Sequence, residues 1–242
     1  MSQFGWGKIV DCIFPPLCHY CHELLHDSRK IRLCDGCLAG VVPLEAPLCP
    51  LCGHPFLHGN CSDHLCGACT LARPAFDAAR GALVFDGAVR ELIHQFKYSG
   101  KTMLRRPLAL YAADHLDRFV RESGPDMIIP VPLHKKRLRQ RGFNQAILLG
   151  EIFAKKWELP LLRNTLRRVR WTEPQVNLSA AERLENVKGA FAVSGSPDLS
   201  GRRILLVDDV YTTGSTVKEC AKILKQAGAE AVIAVTVARA AD

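Results

Sequence analysis

Residues Ile204 to Thr216 run Ile-Leu-Leu-Val-Asp-Asp-Val-Tyr-Thr-Thr-Gly-Ser-Thr. An apolar run meets two adjacent carboxylates, then a small, hydroxyl-rich turn leads into a helix-like segment. Ile204 to Val207 suit a buried parallel strand, and Gly214 with Thr216 opens a helix whose free N–H groups and dipole favour a phosphate. Asp208 and Asp209, at the carboxyl end of that strand, are placed to take ribose hydroxyls or to orient a magnesium ion. The candidate phosphate cradle is therefore Asp208, Asp209, Thr212, Thr213, Gly214, Ser215 and Thr216. It is not a Walker loop, because no Gly-Lys-Ser/Thr follows the glycine.

A second constellation starts at Ile129-Pro130-Val131-Pro132-Leu133-His134 and continues through Lys135, Lys136, Arg137, Arg139 and Arg141 to Gly142-Phe143-Asn144-Gln145. A strand ends in a proline-stiffened loop and delivers five cations in seven residues before another helix N-terminus. This is a second anion site, with Val131, Pro132, Lys135, Lys136, Arg137 and Arg141 as its residues. Between 130 and 170 eleven Lys/Arg face only Glu151 and Glu158, an asymmetry that a merely solvated face rarely shows. Aromatic rings beside cations stack unpaired bases. The nucleic-acid candidates are accordingly Arg139, Arg141, Arg168, Arg170 and Trp171. Phe143, Trp157 and Tyr98 also lie near the basic stretches, the first two with an equal claim to the core.

The third constellation is cysteine. Ten of the eleven cysteines precede residue 70, and eight form four Cys-x-x-Cys knuckles: Cys18/Cys21, Cys34/Cys37, Cys49/Cys52 and Cys66/Cys69. With few large apolar residues between them, this stretch has no core of its own and needs a metal staple, and thiolate quartets suit zinc. Pairing in order gives two structural four-cysteine sites arranged as tandem zinc ribbons or knuckles; an interleaved, cross-braced pairing stays open. Cys61, near His54, His58 and His64, is an alternative ligand. Cys220 shares a helical face with Val217 and Leu224 and reads as a small buried hydrophobe.

The elements that position these groups divide the chain at about residue 70. Residues 1 to 70 carry four Lys/Arg against six acids, and the remainder 28 against 18. With two sites each holding four thiolates around zinc, the formal +8 falls to about +4, so a polyanion should dock on the C-terminal part. Two domains are expected: 1–70, a short helix over 4–14 followed by the zinc-binding knuckles, and 76–242, a regular α/β unit. In the latter, strands are expected at 83–85, 127–131, 161–169, 190–193, 204–207 and 231–237. Helices are expected at 89–96, 104–120, 143–157 and 215–226, with 170–188 a mobile polar loop of some helical character around 180–185. Such alternation implies a parallel sheet with right-handed crossovers and a ligand site outside the carboxyl ends of the strands. Ile9 to Phe14, interrupted by Asp11, is too short for a secretory leader or a membrane span, so a cytoplasmic protein is expected.

The Asp208 to Thr216 segment resembles the phosphoribosyl-pyrophosphate (PRPP) motif of type I phosphoribosyltransferases. The whole chain resembles the ComF family, the competence protein F and GntX-like proteins. The resemblance is carried by Phe14-Pro15-Pro16-x-Cys18-x-x-Cys21, by Pro130-Val131-Pro132, by Arg141-Gly142-Phe143-Asn144-Gln145-Ala146 and by the cradle. It implies a double zinc ribbon followed by a phosphoribosyltransferase-like domain. It also implies a role in natural transformation: handling incoming single-stranded DNA in the cytoplasm, beside DNA-uptake and DNA-processing proteins. In the transferases the cradle holds the 5-phosphate, the acid pair holds ribose O2 and O3, and the loop here at Pro130 to Leu133 holds magnesium pyrophosphate. The 6-oxopurine enzymes place an acid where this chain has Thr212, which disfavours purine salvage. Almost no chain follows the last strand to build a nucleobase hood. Three functions share these parts: a single-stranded DNA binder, a phosphoribosyltransferase acting on an unknown acceptor, and a PRPP-sensing regulator.

Overall fold

The fold is that of a computed structural model and is described for residues 16–25, 33–56, 62–172, 180–195 and 198–240. The helix expected over 4–14 and the cysteines Cys12 and Cys61 lie outside the described residues. Two short helices, α1 (Asp35–Ala39) and α2 (Gly67–Leu71), each follow a cysteine. Then come β1 (Ala78–Val84), α3 (Gly87–Tyr98), α4 (Arg105–Ser123), β2 (Met127–Pro130), α5 (Lys135–Arg141) and α6 (Gln145–Trp157). The chain continues through β3 (Leu166–Arg168), α7 (Ala180–Val187), β4 (Phe191–Val193), β5 (Arg203–Tyr211), α8 (Ser215–Gln226) and β6 (Ala231–Arg239).

β1, β6, β5 and β2 form a wholly parallel sheet in that order, and β3 pairs antiparallel with β4 in a separate ribbon. β5 and β6 run in the middle and are buried on both faces, which is why they read as continuous apolar runs. One face packs against Val89, Leu92, Ile93 and Phe96 of α3 and against buried residues of α4 and α6. The other packs against Val217, Cys220, Ala221 and Leu224 of α8. Cys220 is fully buried there, as its spacing required. Among the described residues no helix is long and apolar enough to cross a membrane.

Several elements differ from expectation. The strand expected at 83–85 runs from Ala78 to Val84, only Leu166–Arg168 of the strand expected over 161–169 forms and it pairs outside the parallel sheet, and within the expected polar loop the whole of Ala180–Val187 is helical. β5 runs on to Tyr211, because Asp208, Val210 and Tyr211 keep pairing with β6, so the acid pair lies inside the strand and not at its end. The basic stretch 135–141 is a helix and not a loop. His134 Nδ1 accepts from the Lys136 N–H at 3.2 Å, and Gly142 ends the helix at a φ of 82°.

The cysteine-rich part is joined to the sheet by backbone hydrogen bonds. The Val84 N–H donates to the Val42 carbonyl and the Leu44 N–H to the Ala82 carbonyl, both at 2.9 Å, laying the chain between the two cysteine sets antiparallel along β1. An otherwise open sheet edge is thereby covered.

Candidate phosphate cleft and cysteine sites

The carboxyl ends of β2 and β5, the start of α8 and the last turn of α3 surround a cavity of about 450 Å³. Successive residues on a strand project to opposite faces. Asp209 therefore turns toward α3, where its Oδ1 lies 2.7 Å from the Lys97 ammonium. Asp208 Oδ1 accepts from the Asp209 N–H at 2.9 Å. Burial, reinforced by the charge of Asp209, raises the Asp208 carboxyl to about 7, against the pull of Lys97. At neutral pH the acid pair thus carries fewer than two negative charges.

Gly214 caps α8 at a φ of 71° and has no side chain to accept from the first turn of that helix. Its amides are left to a ligand, and the helix dipole favours an anion there. A side chain at Gly214 would collide with the Tyr211 ring directly beneath it. Arg239 lies 4.3 Å behind that ring and donates to the Cys52 carbonyl at 2.8 Å, linking the cradle to the cysteine-rich part. The β2 loop is pinned as firmly: the Val131 N–H donates to the Val207 carbonyl, and Asn144 Nδ2 donates to the Val131 carbonyl at 3.0 Å.

Gln145 and Arg168 line this cavity, and among the described residues Gln145 Oε1, Arg168 Nε and Arg239 Nε are buried without a hydrogen-bond partner. Arg141 lies 4.9 Å over the Tyr98 ring, and burial lowers its pKa from the usual arginine value.

The cavity brings together Val131, Pro132, Arg137, Arg141, Arg168, Asp208, Asp209, Thr212, Gly214, Ser215 and Thr216. Thr213 stands beside it, its hydroxyl 2.9 Å from that of Ser215. Lys135, Lys136 and Arg139 are exposed on α5 and do not line the cavity. Arg170 is spent on the carbonyls of Asn186 and Lys188, at 3.0 and 2.6 Å, closing the end of α7. Trp171 packs against α5, 4.8 Å from the Lys136 ammonium and 5.6 Å from the Arg137 guanidinium. Phe143 and Trp157 stack on Phe96 and Phe153 and belong to the core side of the helices. The ring positioned for a ligand is Tyr98, which is 65% exposed.

Sequence reasoning missed Lys97 and the wall to which it belongs. Phe85, Lys97 and Tyr98 line the cavity from upstream of β2. The available signal was Lys97-Tyr98 at the C-terminal end of an amphipathic helix, an ordinary place for a cation.

The cysteines resolve into two complete sets in chain order, Cys18/Cys21/Cys34/Cys37 and Cys49/Cys52/Cys66/Cys69, with every Sγ in a set within 4.8 Å of the others. The cross-braced pairing is thereby ruled out. Contacts of 3.5 Å (Cys21 to Cys34) and 3.6 Å (Cys52 to Cys66) are near the roughly 3.8 Å edge of a tetrahedron with Zn–S bonds of ~2.3 Å. Burial raises the thiols of Cys18 and Cys49, but backbone N–H groups, among them those of Cys34 and Cys66, outweigh it and bring both to about 6. Burial and neighbouring thiols push Cys37 and Cys69 up, so metal binding must displace their protons. The donor sets fit two structural zinc ions.

In the acid pair one oxygen of each carboxylate already has a partner in the chain, Lys97 Nζ for Asp209 and the Asp209 N–H for Asp208.

Known families match both parts: a double zinc ribbon domain over residues 9–70 and a phosphoribosyl transferase domain over 145–242. Competence protein F of Haemophilus influenzae is 36% identical over 231 residues, covering 92% of this chain and 96% of that protein. The DNA utilization protein YhgH of Escherichia coli is 34% identical over 221 residues, covering 90% and 94%. Competence protein ComFC of Bacillus subtilis is 28% identical over 220 residues, covering 87% and 84%.

Proposed function

We propose, from the premise that this chain belongs to the competence protein F family, that it serves DNA use in the cytoplasm by binding phosphates in the cleft at the sheet's carboxyl end. The cradle and acid pair take a phosphoribosyl ligand of the PRPP class. The cations around them take the backbone of single-stranded DNA. One observation carries this reading: Lys97, Arg137, Arg141 and Arg168 converge on a cavity that is also lined by Gly214, Ser215 and Thr216 at the start of α8. The relatives' names supply the DNA context.

Both ligand classes share Arg137 and Arg141, so they affect each other's binding, and that coupling must be reciprocal. This favours regulation of the DNA grip by a phosphoribosyl compound as the second reading.

The test is a titration of a labelled single-stranded oligonucleotide at several salt concentrations, with and without PRPP. Binding should weaken with a log–log slope of roughly −0.7 per phosphate neutralised. Replacing Arg137 and Arg141 together by alanine should make that slope shallower. An affinity that stays flat with salt, and is indifferent to both arginines, overturns the proposal.

A further inference from the structure

We propose that Lys97 is a resident cation of the acid pair, so that the cleft takes a ribose phosphate without a divalent metal ion. The inference deepens the phosphate-binding reading and rests on it.

Its starting point is the ion pair between Lys97 Nζ and Asp209 Oδ1 at 2.7 Å, whose side chains are only 21% and 8% exposed. A contact this shielded escapes most of the screening that makes surface pairs nearly worthless. Magnesium demands open carboxylate oxygens at about 2.0–2.1 Å in an octahedral shell. Here the ammonium stands at one carboxylate and a backbone N–H at the other.

Charge around the cavity points the same way. Its cations Lys97, Arg137, Arg141 and Arg168 outnumber Asp208 and Asp209. The side chains of this site thus supply positive charge for a bound phosphate themselves. An ammonium has three donors, so Lys97 can hold Asp209 and a ligand oxygen together.

The position of Lys97 is braced. It lies in the last turn of α3, where the helix dipole favours a cation. Two residues earlier, Gln95 Nε2 donates to the His19 carbonyl at 2.8 Å, and Lys101 Nζ donates to Gln95 Oε1 at 2.8 Å. The helix end is thus fixed against the first cysteine set.

Calorimetric titration of the zinc-loaded full chain with ribose 5-phosphate tests this, in buffer freed of magnesium and again with magnesium added. Ribose 5-phosphate has the diol and the phosphate without a pyrophosphate that would bring its own metal requirement. The wild-type affinity should be the same in both buffers. Lys97→Met should lose about tenfold or more without magnesium, the scale of a charge-assisted hydrogen bond, and recover when magnesium is added. Lys97→Arg should keep metal-free binding. Zinc content and thermal unfolding establish that each variant folds, and the wild-type arm needs no variant at all. Binding of wild type only with magnesium would overturn the proposal while leaving the phosphate cleft standing, as would metal-free binding by Lys97→Met equal to wild type. Failure of wild type to bind in either buffer would overturn the cleft reading and this proposal with it.

Discussion

The two four-cysteine sets repeat one motif and sit on opposite faces of one sheet. The first packs on the α3 side through Cys18 and Leu33, with Cys21 exposed and Cys34 and Cys37 half-buried. The second is buried at all four cysteines and shares the α8-side core with Phe76, Tyr211 and Val217. Each stands behind one wall of the cleft. The first holds α3, and with it Lys97, through the Gln95 bond to His19. The second holds the cradle, through Cys52, Arg239, Tyr211 and Gly214. The same ligand chemistry thus supports a peripheral brace in one place and part of the core in the other, because burial differs and not because the motif does.

The sharpest way to break this contrast is to remove one ligand from each set. Cys52→Ser should cost far more than Cys21→Ser, because structural zinc binding of about 10–16 kcal/mol is folding free energy where the site is part of a core. Zinc stoichiometry and thermal unfolding should show Cys52→Ser unfolded or severely destabilised, and Cys21→Ser folded with one site weakened. Equal losses would erase the distinction.

Gly214→Ala comes next. It forces a side chain into a left-handed backbone, at about 1–2 kcal/mol, and into the Tyr211 ring besides. Both zinc ions should remain while ribose 5-phosphate binding drops by tenfold or more, that penalty being roughly 1.4 kcal/mol per factor of ten.

A smaller effect separates the two braces. Arg239→Met removes a buried charge-assisted bond to the Cys52 carbonyl, worth roughly 1.5–3 kcal/mol. Gln95→Leu removes the bond to the His19 carbonyl together with those to Glu91 and Lys101, all within or beside α3. Amide hydrogen exchange should speed up at 211–216 in the first variant and around α3 in the second. Crossed effects would mean that the sets do not serve separate walls.

The smallest effect is on pH. Asp208 has a carboxyl raised to about 7 by burial and by Asp209, so it takes up a proton as pH falls from 8 to 6. Losing that negative charge should strengthen oligonucleotide binding across this range, and Asp208→Asn should flatten the dependence. The linked stability has the sign of a raised folded-state pKa: full below the ordinary carboxylate value, and lost as pH rises through about 7.

Much of this was legible in the chain because it is written locally. The knuckle spacing marked the eight cysteines that cluster in two sets, the continuous apolar runs marked β5 and β6, and the Asp-Asp followed by a hydroxyl-rich glycine turn marked a segment that lines the cavity. What escaped depends on contacts distant in sequence. Lys97 meets Asp209 only because β5 lies under α3, and Arg239 reaches Cys52 only because the cysteine-rich part docks beside β1 and β6. Arg168 and Arg170 look alike in sequence, yet one turns into the cavity and the other closes the end of α7. The helix at 135–141 was hidden because its run of cations carries no apolar periodicity, while its stop, Gly142, is a single residue.

The most direct measurement is residue-resolved: backbone amide chemical shifts of the zinc-loaded chain titrated with ribose 5-phosphate. Saturable shifts concentrated at the amides of Thr212 to Thr216, with smaller ones at Asp208 and Asp209, are the predicted result. Silence in that segment at saturating ligand, or shifts confined to the exposed face of α5, would contradict the account.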